Sequence, residues 1–515
     1  MIIKLIYRKN STGESLLQYF QDNWTDVDCY RFEIRGKKYY EISATRNQAN
    51  LKITFNDIRA LGNCLNQQIC GEILAVNGIF TDFSDAKVSN KSYDLLLFNM
   101  TVISVNQLTA GKSTVTQKYI NEKQVPRVCE LAKRTLNLLG LDYAMIRISS
   151  NPQRKLTVTK ITPSPIMREK DLTNVIDKLE KWVEQCNHQH LDKPEVKLGA
   201  DPEFMIANSR SQKMIPASEF FPRQGPVGCD NIRIPRRQQR PIAELRPQPD
   251  ISPIILHANI KAMLEQANKM APYKNIKLLA GSQPFSGYSI GGHIHFSNVS
   301  LGSHLLRALD NYLALPVFLL EDQQTAIKRR NKYGHLNEYR VKDYGGFEYR
   351  TPGSWLVSPE ISLAVLCLAK LVSSNYLMLR HNFFLSVKAH QSFYQGDTEY
   401  FRELFQELWQ DIKQLDEYYL YHQELDIIVQ MIKRKQSWDE NADLRKTWKL
   451  SRNFSKRYAT KTNTITSSNY NSRSQTTTSR RSSSQARTLN RTSANNDASS
   501  MSYQSQGRYE QPSHV

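Results

Sequence analysis

Four short segments constrain this chain more than anything else in it: "LGADPEF" (198–204), "IAELRP" (242–247), "GGHIHF" (291–296) and "GGFEYRTP" (345–352). Each reads as a short strand flanked by Gly or Pro, with apolar residues beside a polar pair. Side chains two positions apart on a strand share a face. The four segments therefore offer Asp201 with Glu203, Glu244 with Arg246, His293 with His295, and Glu348 with Arg350. A merely wet face would carry Lys, Thr, Ser and Gln. These pairs carry carboxylates, imidazoles and guanidiniums, the groups that hold divalent cations and phosphate oxygens. Pro202 lies inside the first pair, which fits only an edge or bulged strand. A second His-x-His, "NHQH" (187–190), has no such company and reads as the surface of a polar linker.

Several carboxylates plus a histidine suit Mg²⁺ or Mn²⁺ in an oxygen-rich shell, and fit a closed zinc cage poorly because no cysteine is placed to help. Arginines beside carboxylates repel a bare metal but make sense around a polyphosphate. More arrive from "KRRNKYGHLNEYRVKDYGGFEYR": Arg329, Arg330, Arg340 and Arg350. One long helix, "LLRALDNYLALPVFLLEDQQTAIKRR", is expected to deliver Arg329 and Arg330 to a nucleotide. Gly291 and Gly292 are expected to let backbone approach that cofactor.

In this order, "GADPEF", "GCDN…AELRP", "GGHIHF" and "RRNKYGHLNEYRVKDYGGFEYRTPGSWL" resemble the phage-type COOH–NH2 ligases (amidoligase type 2) of the glutamine synthetase / glutamate–cysteine ligase superfamily, over about residues 196–380. The resemblance implies an α+β fold, an antiparallel sheet forming a funnel with flanking helices, that binds ATP and Mg²⁺ (or Mn²⁺). It implies amide formation between a carboxylate and an amine carried by a small molecule, a peptide or a protein tail. It further implies Asp201, Glu203, Glu244, His293 and Glu348 as metal ligands, Arg340 and Arg350 as phosphate contacts, and Arg246 and His295 beside them. The family often has Glu-x-Glu where this chain has Asp-Pro-Glu, a shorter first side chain.

Residues 1–190 read as a mixed α/β region. The stretch "VCELAKRTLNLLGLDYAMIRISSNPQRKLTVTKITPSP" is similar to the end of an ATP-grasp domain, but Arg147 and Lys160 stand where that family needs acids. A degenerate, non-catalytic domain is expected there. Residues 396–450 read as an amphipathic helical appendage, and 451–515, rich in Ser, Thr, Asn and Arg, as a disordered basic tail. The net charge of +20 favours contact with polyanions, for which that tail is the natural tether. Seven cysteines with no C-x-x-C pair argue against a disulfide framework and for a reducing cytoplasm. No run is long and apolar enough for a membrane span; the best, "ISLAVLCLAKLV", reads as a core helix. Two rival readings remain open: a metal-dependent hydrolase, and a basic structural or polyanion-binding protein with an inactive ligase fold.

Overall fold

The structure, a computed structural model, describes residues 1–46, 51–83, 91–110, 115–150, 155–192, 195–451 and 457–458. Almost all of the expected tail lies outside these residues. Residues 1–459 form one compact α+β unit with four sheets. The family-like segment and the appendage at 396–450 share one hydrophobic core with much of the N-terminal region. None of the described helices is long and apolar enough to cross a membrane.

The N-terminal half holds two sheets. In the first, Ile2–Arg8 lies between Lys37–Thr45, antiparallel, and Lys52–Phe55, parallel, with Thr25–Ile34 outermost. Its apolar face buries Ile3, Leu5 and Ile42 with Leu16 and Phe20 of the helix Ser11–Asn23. The second sheet is antiparallel, in the order Val115–Ile120, Thr101–Ala110, Ser92–Phe98, Tyr143–Ser150, Leu156–Thr162.

The helix Glu169–Leu191 runs straight through "NHQH", correcting the linker reading. Val175, Leu179, Trp182, Val183 and Cys186 fall at helical spacing and pack on the first sheet's core, and that stripe carries the helix onward. The one long helix expected before Arg329 is instead broken in two, the first part interrupted by a π-helical turn. Ser303–Leu309 continues into a π-helical turn, Asp310–Ala314, and then Leu315–Leu320. The chain breaks at Glu321, whose backbone is extended, and restarts with Asp322 capping Gln323–Arg330. The core helix expected at 361–372 spans Pro359–Asn375 and is capped by Ser358.

Two small antiparallel sheets carry the polar segments. One is ordered Lys197–Ala200, Ile294–Ser297, Phe347–Tyr349, Tyr339–Val341. The other is ordered Met214–Ile215, Glu203–Asn208, Ile242–Leu245, Val227–Cys229, with Ile276–Leu279 also on Glu203–Asn208. Asp201 and Pro202 are the junction between them. The proline cannot donate to a ladder, and the chain changes sheets there. Asp201 and Glu203 are therefore not one strand pair: each sits at the inner edge of a different sheet.

Candidate active site

Strand register builds the first half of the site as two rows. Gly199 pairs with His295, His295 with Glu348, and Glu348 with Arg340. Two residues along, the Asp201 N–H donates to the His293 carbonyl (3.3 Å) and the Arg350 N–H to the Glu338 carbonyl (2.8 Å). The period of two puts both rows on one face, and opposite charges meet across and along the strands. His293 Nδ1 lies 3.1 Å from Asp201 and 3.3 Å from Glu348. His295 Nε2 is 3.0 Å from the other Asp201 oxygen. Glu348, only 1% exposed, faces Arg350 at 2.9 Å, Lys342 at 2.5 Å and Arg340 at 3.6 Å. Burial raises the Glu348 carboxyl and Asp201 adds to that, but His293, Lys342 and Arg350 outweigh both and hold it below its ordinary range. Burial likewise works against the Asp201 charge, and the two imidazoles win.

The second half has the opposite balance. In the second of the small sheets Glu203 stands directly opposite Glu244 on the neighbouring strand, an arrangement of like charges that is unfavourable in a bare antiparallel pair. Burial pushes the Glu203 carboxyl well up, Asp230, Glu244 and Asp201 push further, and the Gly291 N–H (2.7 Å) pulls the other way. Glu244 is pushed up to about 7 by burial and Asp201, against the ion-paired Arg246. Like charge and burial both work against ionisation of these two carboxyls, a strain that a divalent cation would relieve. Donor atoms of Asp201, His295 and Glu348 also lie within 4.8 Å of one another, close enough to share an ion. This donor set, carboxylate-rich with one imidazole, fits Mg²⁺ or Mn²⁺.

The register thus draws Asp201, Glu203, Glu244, His293, His295, Glu348, Arg246, Arg340 and Arg350 together. It does not bring Arg329 and Arg330 to the open site. Arg329 is 1% exposed and donates to the carbonyls of Ile290 (2.8 Å), Thr351 (2.7 Å) and Arg350 (3.1 Å). It ties two site-bearing segments together from behind. Arg330 is ion-paired with buried Glu321 and lies over the rings of Phe318 and Phe393. The glycine pair also has an internal reason. A Cβ on Gly291 would lie 2.3 Å from His293 Nε2, and one on Gly292 would lie 2.4 Å from the Trp355 ring. Close approach is needed, but by the protein's own side chains.

Sequence reasoning missed Asp230, Glu338, Lys342 and Tyr344, whose hydroxyl lies 3.1 Å from His295 Nδ1. The signal for two of them was present: Glu338, Arg340 and Lys342 alternate with the same period of two. Asp230 lies inside the quoted "GCDN", one residue beyond Val227–Cys229.

Residues 198–450 match the family described as Phage phiEco32-like COOH.NH2 ligase-type 2. That segment belongs to this family of carboxylate–amine ligases. The ligase segment thus extends past residue 380 and takes in the helices Thr398–Lys413 and Tyr418–Lys433. No curated protein matches the chain. Among solved structures, the ATP-grasp ligase PsnB complexed with minimal precursor is 12% identical, covering 23% of this chain and 58% of its own, with a TM-score of 0.19. The macrocyclase MdnC bound with precursor peptide MdnA from Microcystis aeruginosa MRC is 6% identical over 35% of this chain and 99% of its own, TM-score 0.24. A bifunctional glutathione synthetase from Pasteurella multocida is 9% identical over 52% and 49%, TM-score 0.30. These likenesses are too partial to assign a fold.

Proposed function

We propose that the ligase segment joins a carboxylate to an amine at the expense of ATP, with Mg²⁺ or Mn²⁺ at Asp201, Glu203, Glu244 and Glu348. Asp230 and His295 complete the donor set. The observation that carries this reading is the Glu203–Glu244 pair: directly opposed, Glu203 buried and Glu244 half-buried, with Asp230 and Asp201 adding like charge. The two sheets meeting at Asp201–Pro202 form the walls of a funnel of the glutamine synthetase type.

A carboxylate resists attack by an amine because its leaving group would be oxide. In the proposed reaction a carboxylate oxygen of the substrate attacks the γ-phosphorus and ADP departs. The amine nitrogen then attacks the acyl carbon, phosphate leaves and the nitrogen loses a proton. Mg²⁺ or Mn²⁺ held by these carboxylates would neutralise phosphate charge. Arg340, with a side chain 56% exposed, Lys342 and Arg246 are the cations free enough to meet the phosphates. Arg350 is held by Glu338, Tyr333 and Glu348, and positions Glu348. His293 does the same between Asp201 and Glu348.

In the N-terminal region, Arg147 is ion-paired to Asp94 at 2.6 Å and stands opposite Lys160 across the ladder. This supports a degenerate ATP-grasp-like domain over 1–190 that holds no catalytic metal. The seven free cysteines, six of them buried, suit a reducing cytoplasm.

The test is calorimetry with a non-hydrolysable ATP analogue and Mg²⁺. Binding is expected, is removed by EDTA, and is lost in a Glu203→Ala/Glu348→Ala double variant. Undiminished binding by that variant sinks the assignment.

A further inference from the structure

Cys64 and Cys70 are the two cysteines closest in the sequence, and a tight corner of the N-terminal region brings their thiols together. Cys64 ends the helix Ile58–Cys64, and Cys70 is the fourth residue of the helix Gln67–Val76. Only Leu65 and Asn66 lie between the helices. The Leu65 N–H donates to the Leu61 carbonyl (3.0 Å), the Asn66 N–H to the Asn63 carbonyl (2.9 Å), and the Cys70 N–H to the Asn66 carbonyl (3.0 Å). The Asn66 side chain caps the second helix, accepting from the N–H groups of Gln68 and Ile69. Backbone bonds thus fix the corner on both sides. Across it Cys70 Sγ donates to the Asn63 carbonyl at 3.6 Å, which sets that sulfur against the peptide unit entering Cys64. The Cys64 and Cys70 thiols are hydrogen-bonded to each other.

Other thiols meet different partners. Cys129 donates to the Glu122 carbonyl (3.7 Å), Cys229 to the Phe221 carbonyl (3.5 Å), and Cys186 is hydrogen-bonded with Tyr376. Cys64 and Cys70 also line one cavity of about 370 Å³, together with Leu65 and Tyr39. Cys64 is 7% exposed and Cys70 1%, so a reagent in the cavity reaches Cys64 first. The hydrogen bond to Cys70 and burial hold the Cys64 thiol well above its ordinary range. Exchange at such a thiol is slow, because the thiolate is the nucleophile. The reduced form gains nothing from a stabilised thiolate, so a disulfide once formed resists reduction.

We propose that Cys64 and Cys70 form a reversible dithiol–disulfide site whose oxidant is a small organic disulfide. The Cys64 sulfur gives up its proton and attacks one sulfur of the co-reactant. The co-reactant's S–S bond breaks, and one half leaves as a thiolate that takes up a proton. The Cys70 sulfur then loses its proton and attacks Cys64 Sγ, displacing the second half, which is protonated in turn. Two cysteine thiols and one small disulfide become one cysteine disulfide and two small thiols, and no other oxidant is needed. The new bond staples the corner between the two helices. That corner faces the ligase segment: Asn63 Nδ2 donates to the Leu385 carbonyl (2.7 Å), and Asn77, which caps the second helix's end, meets His390 Nδ1 through its amide nitrogen (3.0 Å). The site is independent of the proposed ligase chemistry.

The experiment equilibrates the full chain with glutathione disulfide and glutathione. It is followed by acid quenching, denaturation, alkylation with N-ethylmaleimide and tryptic mass mapping. The tryptic peptide from Ala60 to Lys87 holds both cysteines and no other. In the oxidised parent it is expected unlabelled and lighter by two hydrogens, and excess dithiothreitol should restore both labels. The ratio of disulfide to dithiol should be at least about tenfold higher in the native chain than in urea, because the fold holds the thiols together, a difference of about 30 mV. Cys70→Ser should stop at the mixed disulfide of Cys64 with glutathione. A parent peptide that still takes two labels would overturn the proposal. So would a bond from either cysteine to a third one, or an equal ratio in urea.

Discussion

Asp310 should make the stability of this protein fall as pH rises. It sits at the start of the π-helical turn, 3% exposed, and accepts hydrogen bonds from the Tyr349 hydroxyl (2.6 Å) and the Asn337 N–H (3.2 and 3.1 Å). Through Tyr349 it holds the strand that carries Glu348. Burial pushes its carboxyl from 3.8 up to about 7, with the two hydrogen bonds pulling the other way. The folded state therefore binds the proton more tightly than the unfolded chain. Between pH 4 and 7 unfolding releases it, so stability declines through that window and the full cost is present above pH 7. One pKa unit is worth about 1.4 kcal/mol, so the displacement corresponds to roughly 4 kcal/mol at most. Relaxation around the buried charge reduces this, and about 2 kcal/mol is a working figure. Asp310→Asn keeps the shape and one acceptor oxygen but cannot ionise. In urea melts followed by tryptophan fluorescence, the variant's unfolding free energy, and with it its midpoint, should gain on the parent's by most of that amount between pH 4 and pH 8. A midpoint difference that is the same at both pH values would refute the reasoning.

Gly291→Ala drives a methyl carbon into the His293 ring, and overpacking of this kind costs about 1–3 kcal/mol; turnover should fall at least about tenfold, measured as ADP release. Arg330→Met leaves Glu321 buried with its ion pair broken and should cost about 3–5 kcal/mol in a urea melt, much of it restored by adding Glu321→Gln. A chain ending at residue 460 keeps Tyr458, which packs against Phe220 and Tyr273. It should retain turnover while binding an anionic resin more weakly at low salt; loss of turnover at saturating substrate would show that the removed segment acts in the reaction.

The period-two pairs at 244–246, 293–295 and 348–350 were legible in the sequence because a strand's alternation is local and its residue types were chemically telling. The core helix at 359–375 was legible for the same reason: propensity, capping and apolar spacing all act within a few residues. The net charge and the tail's composition are likewise sequence facts. What the sequence left open depended on which segment lies beside which. Register alone puts Glu348 between His295 and Arg340, and sets Glu203 against Glu244. Pro202 announced an irregularity, but only the fold shows two sheets parting there. Arg329 and Arg330 look in the sequence like any basic helix end. Their burial follows from the break at Glu321, which turns the short helix inward onto the Ile290, Thr351 and Arg350 carbonyls and the Glu321 carboxylate. The contact of His293 with Asp201 joins residues 92 positions apart. Long-range electrostatics of this kind are set by tertiary distance, and no local pattern encodes them.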